Sequence, residues 1–165
     1  MHMHLMQVHV SGGKLTAMPS LDDDALGAWR AFLTAHARIT RRISAELSAA
    51  GLPDLAWYDV LWTLYRAPGR SLRVKQLAHE VALSPTGMSR FVDRVEAAGC
   101  VRREPDPKDR RALQVVLTDA GVDLLRRMWP IYERGIEEHF AAHLGRSAPR
   151  TRRLLERLAE AQSPS

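Results

Sequence analysis

Apolar residues recur at helical spacing early in the chain. Leu26, Trp29, Leu33, Ile39, Ile43 and Leu47 mark a long helix over 24–50, which Gly51-Leu52-Pro53 ends. Asp22, Asp23 and Asp24 at its start suit the positive end of a helix dipole. Asp54 then offers an N-cap for a second helix carrying Leu55, Tyr58, Leu61, Trp62 and Tyr65, stopped by Ala67-Pro68-Gly69. A short helix over 74–81 follows. Ser84-Pro85 opens the next, which closes at Gly99; serine at the N-cap with proline at N1 is a specific start signal.

The period changes at Cys100. Residues 100–104 and 112–117 read as two short strands joined by the charged stretch REPDPKDRR, a hairpin with a long tip. Thr118-Asp119-Ala120-Gly121 then starts a helix with Val122, Leu125, Trp129, Tyr132, Ile136 and Phe140 on one side, in which Pro130 is expected to cause a kink or a local opening. A last helix over 148–161 carries Leu154, Leu155 and Leu158. Residues 1–20 show no helical period and read as a flexible leader. Its histidines and methionines are donors that suit soft metals, but a frayed terminus is the reading adopted, with no metal or cofactor expected.

Three short helices followed by a two-stranded ribbon is the order of a winged helix-turn-helix, in which one helix enters the DNA major groove and the ribbon reaches the backbone or minor groove. The expected fold class is therefore mainly α with a small antiparallel β-wing: a winged lobe over 54–117 plus long dimerisation helices over 22–50, 118–144 and 148–161. The entering helix is 84–98. Met88, Phe91, Val92 and Val95 fall at i, i+3, i+4 and i+7 and form its buried face. The opposite side presents Thr86, Ser89 and Arg90, with Arg94 one turn on. Hydroxyls and first-turn amides suit phosphates, arginine can bridge guanine O6 and N7, and Gly87 leaves room for close approach.

REPDPKDRR changes how that helix is read. Seven of its nine residues are charged, and Pro105 and Pro107 stiffen it before any binding. Lys108, Arg110 and Arg111 sit at the hairpin tip, where an arginine can enter a narrow, electronegative minor groove. Asp106 and Asp109 fit as partners that orient the arginines through charge-assisted hydrogen bonds. The solvated charged turn is the plain alternative, and it loses ground once the loop is joined to the preceding helix.

Composition agrees with an acidic partner. The chain has 165 residues and a formal net charge of +5, nearly all of its positive charge being arginine. A single cysteine, Cys100, excludes an internal disulfide and reads as a small buried hydrophobe at the start of a strand. No apolar run approaches the roughly 18 residues of a membrane span. No signal peptide is legible either, so no membrane association and a cytoplasmic location are expected. There is no Gly-rich phosphate loop, no His-Glu-x-x-His and no cysteine pair, and no residue set proposes a reaction, so the chain does not read as an enzyme.

The stretch LRVKQLAHEVALSPTGMSRFVDRVEAAGCVRREPDPKDRRALQVVLTDAG, Leu72 to Gly121, resembles the MarR family of bacterial transcription regulators, and the flanking helices extend the likeness over about 22–160. The resemblance implies a ligand-responsive repressor, a homodimer whose first and last two long helices form the dimer body, with each winged lobe reading half of an inverted repeat in double-stranded DNA. By position, Arg110 and Arg111 match the wing-tip arginine pair, and Ser84, Thr86, Ser89 and Arg90 match the DNA-facing positions. The chain contains no asparagine, which excludes bidentate adenine readout by that side chain. The residues support the dimer independently, because the apolar faces of 24–50, 122–144 and 154–158 exceed what one small winged lobe can cover. Two-fold pairing would set the reading helices about 34 Å apart.

The resemblance also implies a small aromatic or anionic effector bound between dimer body and winged lobe. Trp29 and His36, seven residues apart on one helix face, and Trp57 and Asp59 on the second helix are the expected lining. Each has a plainer role: dimer core for Trp29, an interface contact for His36, an arginine partner for Asp59. The rival to a regulator is a winged-helix scaffold or non-specific DNA-binding protein without an effector.

Overall fold

The computed structural model describes residues 22–81, 84–107 and 109–161; the expected leader lies outside the described residues. The chain divides into two units, up to Ala35 and from His36 onward. The first unit is the leading part of α1 (Asp23–Ala49), where Trp29 and Phe32 stack at 6.1 Å and Trp29, Phe32 and Leu33 are exposed.

The second unit continues α1 from His36 and holds every other element. These are α2 (Leu55–Arg66), β1 (Ser71–Arg73), α3 (Val74–Glu80), α4 (Pro85–Ala97), β2 (Val101–Asp106), β3 (Asp109–Leu117) and α5 (Asp119–Ile136), then a π-helical segment Glu137–Ala141, α6 (Ala142–Leu144) and α7 (Ala148–Glu160). The starts follow from the sequence. Asp54 accepts the amide of Ala56, Ser84 Oγ that of Gly87 at 3.0 Å, and Thr118 Oγ1 that of Gly121 at 3.1 Å, each satisfying a donor that a helix start leaves open.

One core joins α1 to α5 and the sheet, and α6 and α7 bury no residue in it. Leu47, Leu61, Leu64, Leu77, Met88, Val92, Val95, Val115 and Met128 are fully buried in it. As the spacing predicts, α4 contributes Met88, Phe91, Val92 and Val95. Among the described residues, no helix is long and apolar enough to cross a membrane.

The ribbon corrects two expectations. It has three antiparallel strands in the order β1-β3-β2, with Leu72 opposite Val115 on one side of β3 and Arg103 opposite Val115 on the other. A three-residue strand such as β1 is too short to show an alternating pattern. The charged stretch is also not a long loop: pairing runs through Pro105↔Leu113 to Asp106↔Asp109, with an irregularity between Pro105 and Asp106. Only residues 107 and 108 separate the strands, so most of the charge stands on the ladder itself. At Pro130 the helix α5 continues to Ile136, and the expected opening is confined to one lost hydrogen bond. The carbonyl deprived of its donor belongs to exposed Arg126, where water can satisfy it. Departure from α geometry comes later, at Glu137–Ala141.

Candidate nucleic-acid interface

The buried face of α4 turns its other side outward. Ser84, Thr86, Ser89, Arg90 and Arg94 are exposed, and Gly87 is half-buried. A Cβ on Gly87 would stand 3.0 Å from Ser84 Oγ, so this glycine also makes room for the cap that starts the helix. The Arg94 guanidinium lies over the Phe91 ring, 4.9 Å from its centroid, a cation–π contact that holds the head close to the helix.

Arg103 fastens the wing to this helix. From β2 its guanidinium donates to Asp93 Oδ1 at 2.6 Å, to Glu96 Oε2 and to the carbonyl of Ser89 at 3.3 Å, and its own amide donates to Glu96 Oε1 at 2.7 Å. Three of those acceptor atoms are carboxylate oxygens and the side chain is only 21% exposed, so Arg103 ties β2 to α4. Sequence reasoning passed over it as one more charge at the edge of REPDPKDRR. The available signal was the pair Asp93 and Glu96, three apart on the reading helix and just ahead of the turn into the strand.

A second arginine holds the far end. Arg73 Nε donates to Asp106 Oδ2 at 2.6 Å, and its Nη2 lies 3.7 Å from Asp109 Oδ2. Asp106 is the buried charged residue of the described part, 8% exposed. The two aspartates expected to orient the tip arginines are thus tied to β1 through Arg73. Asp109 Oδ1 in addition accepts the backbone amide of Arg111 at 3.1 Å. Arg111 is exposed on β3, and Arg110 precedes it on the same strand with a side chain outside the described residues. Lys108 lies wholly outside them.

Of the expected effector residues, His36, Trp57 and Asp59 belong to the second unit, where the charge of His36 acts on Asp59. Trp57 packs edge-on against Phe91 at 6.0 Å and belongs to the margin of the core. Asp59 is exposed on α2; partial desolvation and the charge of Asp54 push its carboxyl above the usual range, and His36 opposes that shift. Trp29 falls in the other unit. A cavity of about 360 Å³ opens between α2 and α5, lined by Tyr58, Trp62, Tyr65, Val122, Leu125, Arg126 and Trp129. Its walls are an aromatic series: Trp62 stacks on Tyr65 at 5.6 Å and on Tyr58 at 6.1 Å, and Trp129 lies 6.3 Å from Tyr58. Burial, with Tyr132 and Asp59 adding, pushes the Tyr58 phenol up to about 12, so it stays protonated at neutral pH. The cavity was legible only as the aromatic residues of two separate helices.

Cys100 is buried, its Sγ 3.7 Å from the Ala98 carbonyl. Burial raises its pKa against the opposing charge of Arg127, which accords with an inert thiol.

Capped helices α2 to α4, with a three-stranded ribbon pinned to the last of them, define a winged helix-turn-helix. A family model described as MarR family matches residues 50–112, from the end of α1 through the reading helix and into the wing. Two solved structures from Streptomyces coelicolor are similar along most of their length. AbsC, a MarR family transcriptional regulator, is 29% identical with a TM-score of 0.76 over 87% of this chain and 97% of that one. Sco3205, a MarR family transcriptional regulator solved in complex with DNA, is 28% identical with a TM-score of 0.77 over 88% and 92%. The curated regulator PrsX of Escherichia coli is 30% identical over 96 residues, 58% of this chain; the chain spans 57% of PrsX. Residues 50–112 thus match the MarR family, and the fold of the chain is that of MarR-family winged-helix structures.

Proposed function

We propose that this protein is a DNA-binding transcription regulator, a repressor that holds an inverted-repeat operator as a homodimer and responds to a small aromatic acid. The observation that carries the DNA reading is the Arg103 clamp, which joins the exposed side of α4 to the wing as one surface. Thr86, Ser89 and Arg90 supply hydroxyl and guanidinium groups at the helix start, where backbone amides also favour phosphate. Arg94 follows one turn on, while Lys108, Arg110 and Arg111 belong to the wing tip. The dimer is supported by large apolar side chains left in water, Phe140, Leu154, Leu155 and Leu158 in the second unit and Trp29, Phe32 and Leu33 in the first. The DNA complex solved for Sco3205 is consistent with this use of the fold. A dimer seated on a promoter obstructs polymerase by occupancy, which makes repression the simplest outcome.

Competition binding tests the operator reading. The protein should prefer a duplex selected from the region upstream of its own gene over random duplex by about 10³ or more. Arg90→Ala should cost about 1–3 kcal/mol on the selected site and much less when the facing base pair is changed. Equal, purely salt-dependent losses on every sequence would favour a non-specific binder or scaffold.

The effector reading rests on the α2–α5 cavity. Its volume and aromatic walls suit one flat ring, the neutral Tyr58 hydroxyl can donate a hydrogen bond, and Arg126 supplies positive charge for a carboxylate. Titration with substituted benzoates should quench tryptophan fluorescence and release the operator, and Arg126→Ala should weaken both effects together. Quenching that survives Arg126→Ala but is lost in His36→Ala would return the site to Trp29, His36, Trp57 and Asp59.

A further inference from the structure

The π-helical segment Glu137–Ala141 interrupts the helical run that begins with α5. Such a turn holds more residues than an α turn, so successive side chains are rotated less, and these insertions gather at functional positions. Here Glu138 and His139, neighbours in sequence, both come close to Glu46 on α1. His139 Nε2 lies 2.6 Å from Glu46 Oε1, and Glu46, Glu138 and His139 each place one donor atom within 4.8 Å of the others. The His139 side chain is 14% exposed and that of Glu46 30%, while Glu138 lies on the outside. Glu46 Oε2 is fully buried and has no hydrogen-bond partner. Gly135 allows this approach, since a Cβ there would stand 2.7 Å from Ile43 Cγ1 and 3.5 Å from that same Oε2.

We infer that Glu46, Glu138 and His139 bind a divalent transition-metal ion of the zinc type, pinning the π segment to α1. One imidazole and two carboxylates form a borderline donor set. It lacks the thiolates that select copper(I), and three donors fall short of the six to eight oxygens calcium takes. Two ligand atoms at about 2.0–2.1 Å from an ion stand somewhat further apart than a hydrogen-bonded pair, so a small rotation of His139 admits the metal where the shared proton lies. The imidazole binds in its neutral form with its proton on Nδ1, so Nε2 gives up its proton by tautomer change or, from a protonated ring, to solvent. The orphaned Glu46 oxygen gains a positive neighbour, and water fills the outward position beside Glu138. The site stands apart from α4, the wing and the aromatic cavity, so it does not depend on the regulator reading.

Calorimetric titration of the full chain with ZnCl₂ after chelator treatment tests it, in a His2→Ala, His4→Ala, His9→Ala background that removes the leader imidazoles. One ion per chain and a rise in Tm are expected. Glu138→Gln, an exposed change that leaves the core intact, should weaken binding by about tenfold or more, since even outer partners of metal ligands are worth that much. His139→Gln should do the same, and X-ray absorption of the loaded protein should give nitrogen and oxygen neighbours only. No uptake of zinc, an affinity unchanged in both variants, or sulfur in the coordination shell overturns the inference.

Discussion

Arg103→Ala is expected to weaken DNA binding by about tenfold or more on every sequence, a loss of about 1.4 kcal/mol or greater, although Arg103 need not touch DNA. The arginine is the contact through which β2 holds α4: without it Asp93 and Glu96 repel each other, and the wing is free to change its angle to the reading helix. Binding must then order two pieces that the native protein presents already aligned. Charge-assisted hydrogen bonds lost at a mostly buried guanidinium should also lower folding stability by about 1–3 kcal/mol, toward the lower end because Asp93 is 63% exposed. The slope of affinity against salt separates this role from a phosphate contact, which should shift the slope by about one unit per contact. A salt slope that falls in Arg103→Ala would place the arginine on the DNA instead. Lysine should rescue poorly, since an ammonium cannot reach two carboxylates and a carbonyl in the planar arrangement of a guanidinium.

The largest effect on stability is expected at Gly121. It lies in the first turn of α5, held against the end of α4 and the start of β2: Thr118 Oγ1 donates to the Gly99 carbonyl at 2.7 Å, and the Thr118 amide donates to the Cys100 carbonyl at 3.1 Å. A Cβ on Gly121 would stand 2.2 Å from that Cys100 oxygen and 2.6 Å from Leu117 Cδ1. The nearer atom is backbone and cannot swing aside, so alanine must push α5 away from the sheet at a cost of about 3 kcal/mol. Thermal unfolding followed by circular dichroism should show Tm falling by about 6–12 °C. Gly27→Ala is the matched control, because its Cβ meets nothing within 4 Å in the helix α1. That change should leave Tm level or raise it slightly. Equal behaviour of the two variants would mean that α5 does not start where the Thr118 cap places it.

Local chemistry made much of this protein legible before any contact was seen. Asp54, Ser84-Pro85 and Thr118 announce helix starts because each satisfies amides within its own first turn, and Met88, Phe91, Val92 and Val95 declare their shared face through spacing alone. Thr86, Ser89 and Arg90 follow as the outward side of that helix by simple geometry. Long-range pairing is where the reading stopped. β1 is recognisable only through its register with β3. The hairpin tip looked long because proline and charge hide a ladder that continues through Asp106↔Asp109. The aromatic side chains of α2 and α5 form their cavity only once the two helices lie side by side, and Trp57 meets Phe91 only through the same packing.

The amino-acid sequence by itself determined the order of the helices, their caps, the buried face of the reading helix and the likeness to the MarR family. These depend on interactions within a few residues, which periodicity and residue type record directly. Tertiary structure alone decided that Arg103 and Arg73 brace the wing, that Gly121 must lack a side chain, and that Glu46 meets a π turn more than ninety positions away. The physical reason is that a charge or a small residue carries no mark of its partner until folding brings distant segments within hydrogen-bonding distance.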